Sequence, residues 1–172
     1  MEKKTIRKEI LESFGAIGMG SAFWKDDYTE LLKRLVWSVV DGAVSRHGLR
    51  VTEISLVPLG GIKYRPGESV KGMSARLVIS DGSMVPLYIR TVNRGGYKKV
   101  ASVGYLWDVQ LNHVCTERGV SKSYTFLSDC YGVDAKEAAR TAMAYYDGKD
   151  SVRTAMVRDS LLMGDVRVRV GG

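Results

Sequence analysis

Cysteine is nearly absent from this sequence: Cys115 and Cys130 are the only two in 172 residues. Two thiols in a chain of this size make no disulfide framework. A chain this long buries enough surface on folding to need no covalent or metal staple. Proline is just as scarce, at three residues, and no Ser/Gly/Pro-rich stretch divides the chain. No linker is therefore expected. The charged opening Met-Glu-Lys-Lys-Thr-Ile-Arg-Lys leads into no apolar run, and no segment of about 20 apolar residues follows. A signal peptide and a membrane span are both unexpected. The reading is one cytoplasmic domain over 1–172, with its thiols reduced.

Catalytic and cofactor signatures are missing too. There is no Gly-x-Ser-x-Gly elbow, no His-Glu-x-x-His helix and no phosphate loop. Gly-Ala-Ile-Gly-Met-Gly at 15–20 has the look of a dinucleotide loop. A dinucleotide loop follows a strand and opens a helix, whereas this one follows a helix, so it reads as a connector. His113 and Cys115 are two apart, and Asp129-Cys130 lies in the next segment. The C-x-x-C or H-x-x-x-H spacing of a zinc site is absent, and no general base can be assigned to a thiol nucleophile. No metal, no cofactor and no catalytic residue is expected.

What the sequence does have is helical periodicity at its ends and strand periodicity between them. Ile6, Ile10, Leu11 and Phe14 recur at helical spacing over 3–14. A longer amphipathic helix is expected over 27–47, with Asp27 as its cap, Leu31, Leu32, Leu35, Val36, Val39, Val40 and Ala43 on its apolar stripe, and Gly48 closing it. Strands are expected at 51–57, 62–65, 73–79, 84–92, 97–112 and 120–127. The Gly-rich turns between them are short enough to make antiparallel neighbours. Helical spacing returns at 134–147, with Asp134 and Glu137 placed as a capping box, and again at 151–163. The fold class is thus α+β. A central antiparallel sheet of about five to six strands packs against an N-terminal amphipathic helix and two C-terminal helices. Residues 1–24 form the N-terminal helix and connector, and 165–172 a basic tail.

Turn chemistry predicts the sheet register. With Ser80-Asp81-Gly82 as a three-residue loop, Leu77 faces Val85, Ala75 faces Leu87 and Met73 faces Ile89, all on one apolar face. The other face then carries Arg76, Val78, Pro86, Tyr88 and Arg90. With Arg94-Gly95-Gly96 as the next loop, Ile89 faces Ala101, Leu87 faces Val103 and Val85 faces Tyr105. Small residues beside Tyr88 and Arg90 would leave room for a flat ligand. Pro86 conflicts with this pairing, because proline belongs at an edge strand or a bulge.

Charge is concentrated in the same region. The chain carries +7 overall, with a pI of about 9.4. Within 60–104, eight cations meet only two carboxylates, Glu68 and Asp81, which leaves +6 there. Tyrosines lie beside several of these cations. Aromatic rings stack bases while cations hold phosphates. The expected function is therefore non-enzymatic binding of RNA or single-stranded DNA. The expected contacts are Lys63, Arg65, Arg76, Tyr88, Arg90, Arg94, Lys98 and Lys99, with Arg167 and Arg169 from the tail. The competing reading is a protein-interaction module, such as a small viral inhibitor or assembly factor, that docks on an acidic protein partner. A homo-oligomer formed through an exposed edge or the Val-Arg-Val-Arg-Val tail is a further expectation.

Overall fold

The computed structural model describes residues 3–15, 22–24, 28–65, 68–117, 120–145, 152–159 and 164–169. In chain order the elements are α1 (Lys3–Ser13), β1 (Ala22–Trp24), α2 (Tyr28–Ser45), β2 (Val51–Arg65), β3 (Glu68–Ile79), β4 (Met84–Arg94), β5 (Tyr97–Glu117), β6 (Val120–Gly132), α3 (Ala135–Tyr145), β7 (Val152–Asp159) and β8 (Gly164–Arg169). The fold is α+β, with a largely antiparallel sheet. The residues fall into two compact units. The first comprises 1–60, 71–104 and 160–162, the second 61–70, 105–159 and 163–172.

In the first unit α1 packs on α2. Ile6, Ile10 and Phe14 are buried from α1, and Leu32, Val36, Val39, Val40 and Ala43 from α2. Most of each expected stripe is thus a buried face, but Leu11 and Leu35 are half-buried and Leu31 is exposed at the rim of its stripe. His47 Nε2 lies 2.6 Å from Glu9 Oε2, joining the end of α2 to α1. Gly48 ends α2 with φ +74°. Leu49 N–H donates to Val44 O at 3.2 Å and Gly48 N–H to Ser45 O at 3.1 Å, the paired bonds of a Schellman cap. Asp41 then accepts from Val51 N–H at 3.0 Å and from Arg50 Nη2 at 2.9 Å, which aims the chain into β2. These donors, led by the Val51 amide, hold the Asp41 carboxyl below its ordinary value. Asp27, the expected cap of α2, lies outside the described residues.

The β3–β4 hairpin has the expected register: Leu77 pairs with Val85, Ala75 with Leu87 and Met73 with Ile89. All six are buried. Gly82 takes φ +87°. Ile79 N–H donates to Ser83 O at 2.8 Å, which closes the three-residue loop. Pro86 pairs with Arg76 without any shift in register. It lies in a strand paired on both sides, β3 on one and β5 on the other, and marks neither a bulge nor an edge. Successive amides of a strand point to alternate neighbours, so the missing N–H of proline weakens only one of the two ladders.

Three expectations change. β4 continues to Arg94 and β5 starts at Tyr97, so the second loop is Gly95-Gly96 and has two residues, not three. Gly95 has φ +60°, as the first position of either primed two-residue hairpin turn requires. Two adjacent glycines make that tighter turn accessible. The expected strands 51–57 and 62–65 are one strand, β2. The expected helix at 151–163 is also absent: 152–159 is strand β7, paired antiparallel with both β5 and β8. Its β-branched Val152, Thr154 and Val157 suit a strand, and pairing on both sides overrides a weak helical spacing.

In the second unit β6 pairs antiparallel with β5, and a parallel bridge joins Lys63 to Cys130. α3 packs on β6, β7 and β8. Asp134 caps it, accepting from Glu137 N–H at 2.8 Å. Glu137 in turn accepts from Val133 N–H at 3.4 Å, one residue before the cap, so the return bond differs from that of the expected capping box. Trp107 Nε1 donates to Gly132 O at 2.9 Å. A Cβ at Gly132 would stand 2.8 Å from Ala138 N, so only glycine lets α3 approach this strand.

Two glycines give opposed expectations. A Cβ at Gly72 would collide with the Ile89 carbonyl of the neighbouring strand, whereas one at Gly42 on α2 would meet nothing within 4 Å. Gly72→Ala is expected to lower stability by about 1–3 kcal/mol. Gly42→Ala is expected to raise it by about 0.5–1 kcal/mol. Denaturant melts of the two variants read both.

Candidate nucleic-acid interface

The ten expected contact residues are not equivalent. Arg76 on β3 and Lys99 on β5 are exposed. Arg90 is half-buried, and its Nε donates to Ser102 Oγ at 3.1 Å. Lys98 is also half-buried, with Nζ 4.6 Å from the centroid of the Tyr28 ring, within cation–π range. Lys63, half-buried, belongs to the second unit. The side chains of Arg65, Arg94, Arg167 and Arg169 lie outside the described residues. Their backbones place Arg65 on β2, Arg94 at the end of β4, and Arg167 and Arg169 on β8 opposite Met156 and Thr154.

Tyr88 is the correction. It was expected on an open face as a stacking platform, but it is fully buried. Its strand partner is Ser74 on β3, also buried. Its hydroxyl donates to Leu59 O on β2 at 2.7 Å. A Cβ at Gly72 would stand 3.2 Å from that same hydroxyl. Small residues on β3 thus let the tyrosine ring lie across the strand and reach the one beyond. The ring expected to receive a flat ligand is instead packed within the protein. Burial, and secondarily the Tyr28 phenol, push the Tyr88 hydroxyl up to about 12.

The exposed tyrosine of this region is Tyr97, at 39% exposure. It opens β5 directly after the Gly95-Gly96 turn, beside Lys98 and exposed Lys99. In the ladder with β1, Tyr97 pairs with Trp24, Lys98 with Phe23 and Lys99 with Ala22. The Tyr28 hydroxyl, on the helix that follows β1, donates to Thr91 Oγ1 at 3.4 Å. Tyr97 could have been found in the sequence, because Tyr-Lys-Lys after a Gly-Gly turn puts an aromatic ring and two cations at the tip of a hairpin.

The thiol-centred cluster does not assemble. His113 pairs with Tyr124 and Cys115 with Lys122, whereas Asp129 pairs with Asp108 and Cys130 with Trp107. Asp129 is level with a position five residues along β5 from His113, roughly 17 Å away at strand rise. Among the described residues no group of His, Cys, Asp and Glu could hold a metal ion. No described helix is long and apolar enough to cross a membrane. Comparison with family models, curated proteins and solved structures finds no match to this chain.

Buried tyrosine hydroxyls make alkaline pH a probe of this packing. The folded state keeps Tyr88 protonated to about 12, whereas the unfolded chain ionises near the ordinary value of about 10. The unfolded state therefore binds fewer protons in that window, and stability is lost as pH rises from 10 towards 12. Tyr88→Phe is expected to flatten that loss in thermal melts. At neutral pH it is expected to cost about 0.5–1.5 kcal/mol, because it removes the hydroxyl bond to the half-buried Leu59.

Proposed function

We propose that this chain is a non-enzymatic binder of RNA or single-stranded DNA, and that the first unit carries its main contacts. The observation that supports this reading most is the exposed Tyr97 at the hairpin tip with Lys98 and Lys99 beside it. It lies in a stretch where eight cations oppose two carboxylates. A base stacks on an exposed tyrosine whatever its identity, and adjacent ammonium groups neutralise the flanking phosphates. Lys98 is held against Tyr28, so less of its freedom is lost on binding. Arg76 and Lys71, both exposed on β3, add to the cationic surface. Tyr88 has no contact role here and acts through packing.

Fluorescence anisotropy on mixed-sequence single-stranded RNA and DNA is the test. Affinity is expected to fall steeply with salt. Lys99→Ala and Arg76→Ala should each reduce the slope of log K against log salt by about one phosphate contact. Tyr97→Ala is expected to weaken binding by about 1–3 kcal/mol with little change in that slope. Tyr88→Phe should leave affinity unchanged in the folded protein. Absence of binding at low salt would overturn the proposal.

A further inference from the structure

We propose that β8 is a dimerisation edge, and that a second copy of this chain pairs with it antiparallel about a two-fold axis at Val166. This proposal is independent of the nucleic-acid reading. β8 pairs with β7 on one side and is the last strand in its order, with no described strand on its other side. An edge strand's unpaired amides and carbonyls template another strand unless something blocks them. Gly164–Arg169 contains no proline.

Register decides which partner fits. A two-fold axis perpendicular to the sheet keeps each face of one copy continuous with the same face of the other. Four pairings of β8 with itself then come into question, centred on Asp165, Val166, Arg167 or Val168. Centring on Asp165 sets that carboxylate against its own copy. Centring on Arg167 does the same to a guanidinium, and centring on Val168 sets Arg167 against Arg169 twice. Like charges directly opposite are destabilising. Centring on Val166 sets Asp165 against Arg167 of the partner subunit twice over, with no like pair.

That register also continues two rows already built inside the chain. Asp108 pairs with Arg158, and Arg158 with Asp165. The partner's Arg167 would extend this row with the next alternating charge. Val109 pairs with Val157, and Val157 with Val166. The partner's Val166 would extend that row into six valines across the two copies. Val109 is fully buried in its own chain. Cross-strand β-branched pairs and opposite charges are the units of sheet stability, so both rows favour one register.

Sedimentation equilibrium on nuclease-treated protein tests this. The wild type is expected at twice the chain mass. Asp165→Arg and Arg167→Asp, made singly, are each expected to weaken the dimer about tenfold or more, because each replaces two opposite-charge pairs with two like pairs. The double swap, made with Arg158→Ala so that position 165 meets no like charge within the chain, restores the pairs between copies and is expected to restore the dimer. Val166→Cys, at the axis, should give a disulfide-linked dimer, whereas Val168→Cys, set against Gly164, should not. These crosslinks read the register even where a charge variant folds poorly. A wild-type monomer at every concentration overturns the proposal. So does a dimer that is lost on nuclease treatment, a folded double swap that stays monomeric, or crosslinking through Val168→Cys in place of Val166→Cys.

Discussion

The first unit depends on how Tyr88 lies across β3. The Ser80-Asp81-Gly82 loop sets the pairing of β3 with β4, and that pairing puts Tyr88 opposite Ser74 and beside Gly72. Only with a hydrogen atom as side chain at Gly72 and a small group at Ser74 can the ring lie flat enough to reach Leu59 O. One tyrosine therefore ties three strands together. The ring supplies apolar burial, and the hydroxyl finds its own acceptor in the Leu59 carbonyl. Leu77, Ala75, Leu87 and Ile89 occupy the same register and form the sheet's contribution to the core. A one-residue slip would expose all of them and withdraw the tyrosine as well.

This constraint explains what was legible in the sequence and what was not. The hairpin register followed from a local rule, because Gly82 at a left-handed position leaves one loop length that keeps six apolar residues on one face. The caps of α2 and α3 were legible for the same reason: Gly48, Asp134 and Glu137 act on amides and carbonyls a few residues away. The burial of Tyr88 was not legible. It depends on Leu59, far away in sequence, and on the size of residues on an intervening strand. Alternation assigns a residue to a face but does not say whether that face is open. The second loop failed for a local reason, since Arg94-Gly95-Gly96 and Gly95-Gly96 are both acceptable turns and only tertiary pairing chooses between them.

The candidate interface moved accordingly. With Tyr88 closed off, the aromatic–cation pairing passes to the start of β5, where Tyr97, Lys98 and Lys99 follow the tight turn. A two-residue Gly-Gly turn brings the ends of β4 and β5 together at this tip. Tyr28 fixes Lys98 from the helix side through its ring, and its hydroxyl bonds to Thr91 on β4. The local charge surplus read from composition survives this move, because Arg76, Lys71 and Lys99 remain exposed. Charge density depends on composition and is robust to register, whereas the identity of the stacking ring is not.

In the second unit, the exchange of an expected helix for β7 changes what the basic segment at 164–169 is. Beside a helix, alternating valine and arginine would be a solvated tail. Beside β7 the same alternation becomes a strand with valine in one row and arginine in the next, each with a partner set by position. Arg158 then falls between Asp108 and Asp165, so the charges alternate from Asp108 outwards, although Asp129 stands opposite Asp108 on the inner side. A cationic stretch that binds polyanions needs like charges without compensating carboxylates at strand spacing. Here Asp165 and Asp108 compensate Arg158, which makes the row better suited to recognising its own sequence than a phosphate backbone. The proposed dimer register draws on the charge of the second unit, whereas in the first unit residues 71–104 set six cations against the single carboxylate Asp81.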